Sequence, residues 1–308
     1  MTEHERTRNT HTIRIWQQNL NKSLDAQSHF LHTLRPDEFD VALIQEPYMD
    51  RLTLTRATTH WSVVYPSRHH DQKEHIRSVM LVNARIPTNS WEIIHVESSD
   101  ITAIRLQTPQ EPLYIFNVYN AQEHQHTIQL LSRRLAGLHL DEARHQRSTR
   151  RNALLAPQPT TMYYSRETSI DITPSGNPLV KLLAEFDLYQ LLPAGISTLS
   201  AFNSGNLTRP DNVFGSIGLV DALLSCRVPA WLIPNHTDHF PIHIHLDFAV
   251  TSADHPPRWN WRATDPKKFL MELTAAFDHN NSSKKLASLP RSTQGQAGQL
   301  ARAFDWSI

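Results

Sequence analysis

The 308-residue chain has one cysteine, Cys226, which excludes an internal disulfide and matches a reducing compartment, nucleus or cytoplasm. Glycine is scarce, 8 residues against 19 prolines, so the loops are stiffened more than loosened. Neither sign of charge is in excess. The 30 Lys plus Arg balance 30 Asp plus Glu, so no global positive field attracts a polyanion and any contact with DNA has to be local. No apolar run approaches the ~20 residues that span a bilayer, and residues 1–11 are polar and charged, which argues against a membrane partner and for a disordered N-terminus. There is no Cys pair and no H-E-x-x-H, so a zinc reading would rest on the 19 histidines alone. Four of them, His236, His239, His243 and His245, crowd into ten residues. His243 and His245 alternate along an apparent strand, which is better explained by solvent-facing side chains.

What is present describes an α/β protein large enough for one substantial core with a tail. Residues 12–18, TIRIWQQ, read as a strand ending at Asn19. Ser23 can cap a helix over residues 24–34, and the continuous apolar run VALI at 41–44 has the pattern of a strand covered on both faces, ending at Gln45-Glu46-Pro47. Short β-like runs at 61–66, 78–83, 91–96, 101–106 and 113–119 suggest antiparallel hairpins. Helical spacing recurs over 126–139 and 177–187, and strand signals return at 188–192, 212–216, 219–224 and 241–248. Residues 140–176 lack sustained periodicity and are expected to be loop-like. Beyond residue 250, residues 251–308 read as a linker and a poorly ordered tail with one candidate helix over 266–277.

Polar groups stand where apolar strands end: Asn19, Glu46, and Asp238-His239 in NHTDHFPI. Each alone is most simply a solvated loop residue. The basic clusters at Arg133-Arg134, Arg144 to Arg151, Lys267-Lys268 and Lys284-Lys285 are most simply solvated faces. Trp61, Trp91 and Trp231 are better explained by core packing than by base stacking, and Thr198 needs no role beyond a turn.

Taken together and in order, N-x-N after the first strand, LIQEP after the second, IFNVYN in mid-chain, TRPDNVF and TDHFPI resemble the endonuclease/exonuclease/phosphatase superfamily. The wording WQQNLNKS, ALIQEPY, RSVMLVN, NLTRPDNVF and TDHFPIH looks most like fungal LINE-type retrotransposon endonuclease domains, over about residues 12–262, and PPRWNWR resembles the linker toward a reverse-transcriptase region. The resemblance implies a four-layer α/β/β/α sandwich of two mainly antiparallel sheets over residues 12–250. It also implies a monomeric DNA endonuclease, once fused to a reverse transcriptase. By the same resemblance Glu46 would be the principal ligand of Mg²⁺ (or Mn²⁺), with Asn19, Asp238 and a contribution from Asn21. His239 would act at the scissile phosphate, Asp211 would orient it, and Tyr119 and Asn120 would contact the phosphate.

The family places a strand ending in GDFN between the mid-chain helix and the later one, and no G-D-x-N occurs in this chain. One inner strand is therefore expected to be missing or altered, with Asp141 the nearest acidic candidate, and phosphodiester hydrolysis is expected to be impaired. Three readings stay open: a working endonuclease, an inactive relic that folds and binds nucleic acid or a partner, and a phosphoesterase acting on a non-nucleic substrate.

Overall fold

The structure is a computed structural model. It describes residues 12–70, 75–109, 111–120, 125–143, 152–158, 177–229, 232, 236–251, 265 and 267–272. The chain divides into two compact units, Met1–Arg258 and Trp259–Ile308. In the second unit, residues 267–272 are helical, and the Asp265 carboxylate accepts the Lys267 and Lys268 amides at 2.9 and 3.3 Å as a cap. This lies inside the helix expected over 266–277.

In the first unit, β1 (Thr12–Asn19), α1 (Leu24–Thr33) and β2 (Val41–Gln45) form a strand–helix–strand crossover, and β1 and β2 are parallel. Ser23 caps α1 by accepting the Ala26 amide. β3 (Trp61–Val64), β4 (Ser78–Asn83), β13 (Leu223–Arg227) and β14 (Ile242–Asp247) complete a six-stranded sheet in the order β13-β14-β1-β2-β4-β3. The second six-stranded sheet is built from β5 (Trp91–Ile93), β6 (Ile101–Leu106), β7 (Leu113–Tyr119), β8 (Asn152–Gln158), β9 (Leu188–Gln190) and β12 (Phe214–Ser216), in the order β5-β6-β7-β8-β12-β9. The helix α2 (His126–Ala143) lies between β7 and β8 in the chain, and those two strands are again parallel. The remaining elements are α3 (Pro178–Glu185), capped by Asn177, the two-residue strands β10 (Leu199–Ser200) and β11 (Leu207–Thr208), and α4 (Ile217–Asp221).

Three apolar clusters define four layers. Ile13, Ile15, Val41 and Leu43 of the first sheet meet Ile104, Leu106, Ile115 and Leu154 of the second in the central layer. The alternate residues Trp16, Ala42 and Ile44 turn outward onto Ala26 and Phe30 of α1. Phe116, Val118 and Leu155 turn outward onto Leu131 and Leu135 of α2 and Leu179 and Leu182 of α3. A strand covered on both faces has no solvent side, which is why VALI reads as an unbroken apolar run. Trp61 and Trp91 are buried, as expected of core residues, whereas Trp231 lies outside the described residues.

Three expectations are corrected. Residues 140–176 are not loop throughout, because residues 152–158 form β8 inside the second sheet, so an inner strand is present there. Pro157 hides it, since proline argues against a central strand. β12 pairs only with Leu154 and Leu155, however, so Pro157 lies past that ladder and removes no donor from it. Residues 219–224 are not one strand: Leu219 is buried on α4, Val220 points outward, and β13 begins only at Leu223. His243 does not face solvent. It is buried against Trp16 and Phe39, with ring centroids 4.5 and 4.7 Å away.

Burial pushes the His243 imidazole down to about 3, with His245 and Arg227 adding to the shift. The folded state thus holds His243 neutral while the unfolded chain protonates it near the ordinary value of 6.5. Between these values unfolding takes up a proton, so stability falls as pH drops from 6.5 toward 3. His243→Phe should flatten that decline, as read by urea midpoints at pH 7 and pH 4.5. An unchanged slope would refute the assignment.

Candidate active site

The parallel pairs bring their C-terminal ends to the same end of the sandwich. Asn19 lies opposite Gln45 in one sheet and Tyr119 opposite Gln158 in the other. The Gln45 side-chain amide, fully buried, donates to the carbonyls of Val118 and Ala156 at 3.0 and 2.9 Å, tying the end of β2 to the ends of β7 and β8. Asn117 returns the connection, its amide donating to the carbonyls of Ile44 and Val79.

Glu46 follows Gln45 with φ of +44°, and Asn21 and Lys22 have φ of +49° and +57°. Three non-glycine residues in the left-handed region, two of them consecutive, mark backbone strain that the surrounding contacts must sustain. Those contacts are the Lys22 amide on the Glu46 carbonyl (2.8 Å), the Glu46 amide on the Arg77 carbonyl (3.0 Å) and the Asn21 amide on Asn19 Oδ1 (2.8 Å). The Glu46 carboxylate receives Asn19 Nδ2 at 3.3 Å on Oε2 and the Lys22 ammonium at 3.2 Å on Oε1. The Tyr119 phenol lies near enough to Glu46 for the carboxylate to perturb it. Burial first, then the Glu46 charge, pushes the phenol up to about 12, so the hydroxyl keeps its proton.

On the neighbouring loop, His239 Nδ1 lies 2.7 Å from Asp211 Oδ2, with both side chains buried. Burial alone would lower the imidazole's affinity for a proton. The Asp211 carboxylate, through charge and hydrogen bond, outweighs it, and Asp238 and Glu46 add to the same direction, so the pKa is raised. With Nδ1 committed to Asp211, Nε2 is the nitrogen left for another partner, and it stands 3.8 Å from Asp238 Oδ1. Asp211 is held by Thr198, whose hydroxyl accepts the Asp211 amide at 3.0 Å. The Thr198 carbonyl accepts the Phe240 amide at 2.7 Å. Gln18 donates to the His239 carbonyl and Thr237 to the Asn19 carbonyl, which joins this loop to the end of β1.

Asn19, Glu46, Tyr119, Asp211, Asp238 and His239 thus belong to one connected region, and Asn120 follows Tyr119 directly. Asn21 contributes its backbone to that region. Thr198 has a structural task that its place in a turn motif did not reveal. Lys22, Arg77 and Asp100 escaped notice because no spacing rule links them to Glu46 or Tyr119. Asp141 lies in α2, not at a strand end, and the end of β8 reads Ala156-Pro157-Gln158, with no carboxylate anywhere in the strand.

Among the described residues no group of three or more His, Cys, Asp or Glu is placed to hold a metal ion. Glu46, Asp238 and Asn19 carry oxygen donors, although Asn19 Oδ1 already accepts the Asn21 amide and its Nδ2 faces Glu46. Oxygen donors suit Mg²⁺, which is commonly bound through one or two carboxylates and keeps several waters.

No protein-family model matches the chain, and no curated protein matches it. Among solved structures it is similar to the endonuclease domain of TRAS1, a telomere-specific non-LTR retrotransposon, with 16% identity and a TM-score of 0.55, covering 76% of this chain and 98% of that one. It is also similar to the Xenopus laevis APE2 catalytic domain, with 15% identity and a TM-score of 0.55 over 83% and 100% of the two chains. A third likeness is to the AP endonuclease LMAP from Leishmania major, with 13% identity and a TM-score of 0.58 over 77% and 88%. The chain accordingly shares the fold of these nucleases, two six-stranded sheets packed face to face between helices.

Thr198→Val should leave the buried Asp211 amide without its acceptor and cost about 1–3 kcal/mol of stability. The check is urea unfolding at pH 7, and a loss below a few tenths would remove Thr198 from this role.

Proposed function

We propose that the chain is a Mg²⁺- or Mn²⁺-dependent phosphodiester hydrolase acting on DNA, of the retrotransposon endonuclease kind, with catalysis weakened by the altered strand β8. The observation that carries the reading is the buried His239–Asp211 pair at 2.7 Å, set in one connected region with Glu46 and Asn19. The fold shared with a retrotransposon endonuclease and with AP endonucleases supports it.

A divalent cation, which would be held by Glu46 with Asn19 and Asp238, supplies stabilisation of charge on the phosphoryl oxygens. The chain's own groups do the rest. His239, whose affinity for a proton Asp211 raises, presents in its protonated form an Nε2–H to a phosphoryl oxygen, and Tyr119 offers a phenol that stays protonated across the working pH range. Asn120 adds an amide donor beside it. β8 supplies no carboxylate to activate the attacking water or to protonate the leaving oxygen. Loss of such an acid–base group commonly costs ~10²- to 10⁴-fold in rate. That same observation favours the second reading, a folded relic that binds DNA without cutting it.

A supercoiled-plasmid nicking assay with and without Mg²⁺ separates the two. Slow, Mg²⁺-dependent nicking that drops a further ~10²-fold or more in Glu46→Ala and in His239→Ala is the expected result. Nicking that survives both substitutions would defeat the site assignment, and its absence in the parent chain would favour the relic.

The pH dependence has a definite sign. Because the proton on His239 is the active form, nicking should decline as pH rises through the raised imidazole pKa. Asp211→Asn removes the group that raises it and should move the midpoint of that decline to lower pH. A pH–rate profile for both proteins tests this, and coincident midpoints would exclude the role given to Asp211.

A further inference from the structure

Glu46 directly follows β2 of the first sheet and Tyr119 ends β7 of the second, so their approach depends on how the two sheets are held at this end. Arg77, the residue before β4, touches both. Its carbonyl accepts the Glu46 amide at 3.0 Å, and its guanidinium carbon sits over the Tyr119 ring, 4.8 Å from the centroid. The guanidinium is fixed in turn by a two-point ion pair with Asp100, Nε to Oδ1 at 2.7 Å and Nη2 to Oδ2 at 2.8 Å.

Asp100 is buried and over-determined. Its amide donates to Ser98 Oγ at 3.0 Å, its Oδ2 accepts the Thr127 hydroxyl at 3.2 Å, and its carbonyl accepts the Tyr119 amide at 2.8 Å. The Arg77 amide closes the circuit on the Ser99 carbonyl at 3.2 Å. Backbone and side chain of two residues thus hold both Tyr119 and Glu46, one from each sheet.

We propose that Arg77 and Asp100 form an inter-sheet clamp whose task is to position the Tyr119 ring and hydroxyl against Glu46, making both of them positioning residues of the active site. A planar guanidinium is needed because it pairs at two points with the carboxylate while its face lies on the phenol ring, which an ammonium on a flexible stem cannot do. Exposed ion pairs contribute little, but this carboxylate is buried and its partner is stacked, so the geometry is held. The clamp rests on the proposed function only for its catalytic consequence, whereas the positioning itself is independent of turnover.

The test uses the full chain labelled with 3-fluorotyrosine, the Tyr119 resonance being assigned by its loss in Tyr119→Phe. Arg77→Lys and the double variant Arg77→Met with Asp100→Asn are compared with the parent. The double variant removes both charges, so neither is left buried and unpaired. The clamp predicts that both shift or broaden the Tyr119 fluorine resonance while the other tyrosine resonances hold, with Tm changed by only a few degrees. It also predicts that kcat for nicking falls ~10-fold or more with KM within about twofold, the pattern of lost positioning rather than lost binding. An unmoved Tyr119 resonance, or a shift of all resonances together, overturns the clamp. If the parent nicks no DNA, the proposed function fails, and the fluorine resonance alone decides whether the clamp stands.

Discussion

The Gln45 side-chain amide is the contact on which the functional end of the molecule depends. Two sheets that meet only through Ile, Leu and Val can slide, because apolar packing is non-directional. A buried amide cannot tolerate sliding, since a displaced donor loses hydrogen bonds that nothing nearby replaces. Gln45 reaches the carbonyls of Val118 and Ala156, and Asn117 reaches back to Ile44 and Val79. These reciprocal pairs fix the register between sheets at the ends of β2, β7 and β8. The side chains just beyond them, Glu46 and Tyr119, inherit that register.

Strain is concentrated at the same end. Asn21, Lys22 and Glu46 hold left-handed backbone without glycine's freedom; the Asn21 amide is pinned by the Asn19 side chain, the Lys22 amide by the Glu46 carbonyl and the Glu46 amide by the Arg77 carbonyl. A strained turn over-determined by its surroundings presents its side chain in one orientation, so the Glu46 carboxylate is held in place before anything approaches it. The buried His239–Asp211 pair achieves the same economy by another means, with the carboxylate selecting the ring nitrogen that remains available.

Much of this was legible in the order of residues. The β1-α1-β2 crossover followed from Ser23, the helical leucine spacing and the apolar run at 41–44, because local rules govern each of them. The connected set of Asn19, Glu46, Tyr119, Asp211, Asp238 and His239 was legible through resemblance, which carries information about pairing that spacing does not. Partnerships between distant residues were not legible. Nothing local in GISTLS shows that Thr198 bonds Asp211, and nothing in HIRSVM shows that Arg77 meets Asp100. β8 escaped because Pro157 interrupts an otherwise apolar run, and α4 because five residues are too few to display helical period. His243 seemed solvent-facing because alternation in a strand names two faces without saying which of them is covered.

The first strand of the chain pairs with the last strand of the first sheet: Thr12 lies opposite Asp247, and Gln18 bonds to His239 across 221 residues of sequence. During synthesis β1 leaves the ribosome with one edge open, and that edge stays open until β14 has emerged. The His239 loop, which bonds to the end of β1, cannot be set before then either. The candidate site is therefore among the last features to assemble, and a chain halted before residue 247 would carry a central strand with exposed ladder groups, a template for aggregation rather than a partly working domain.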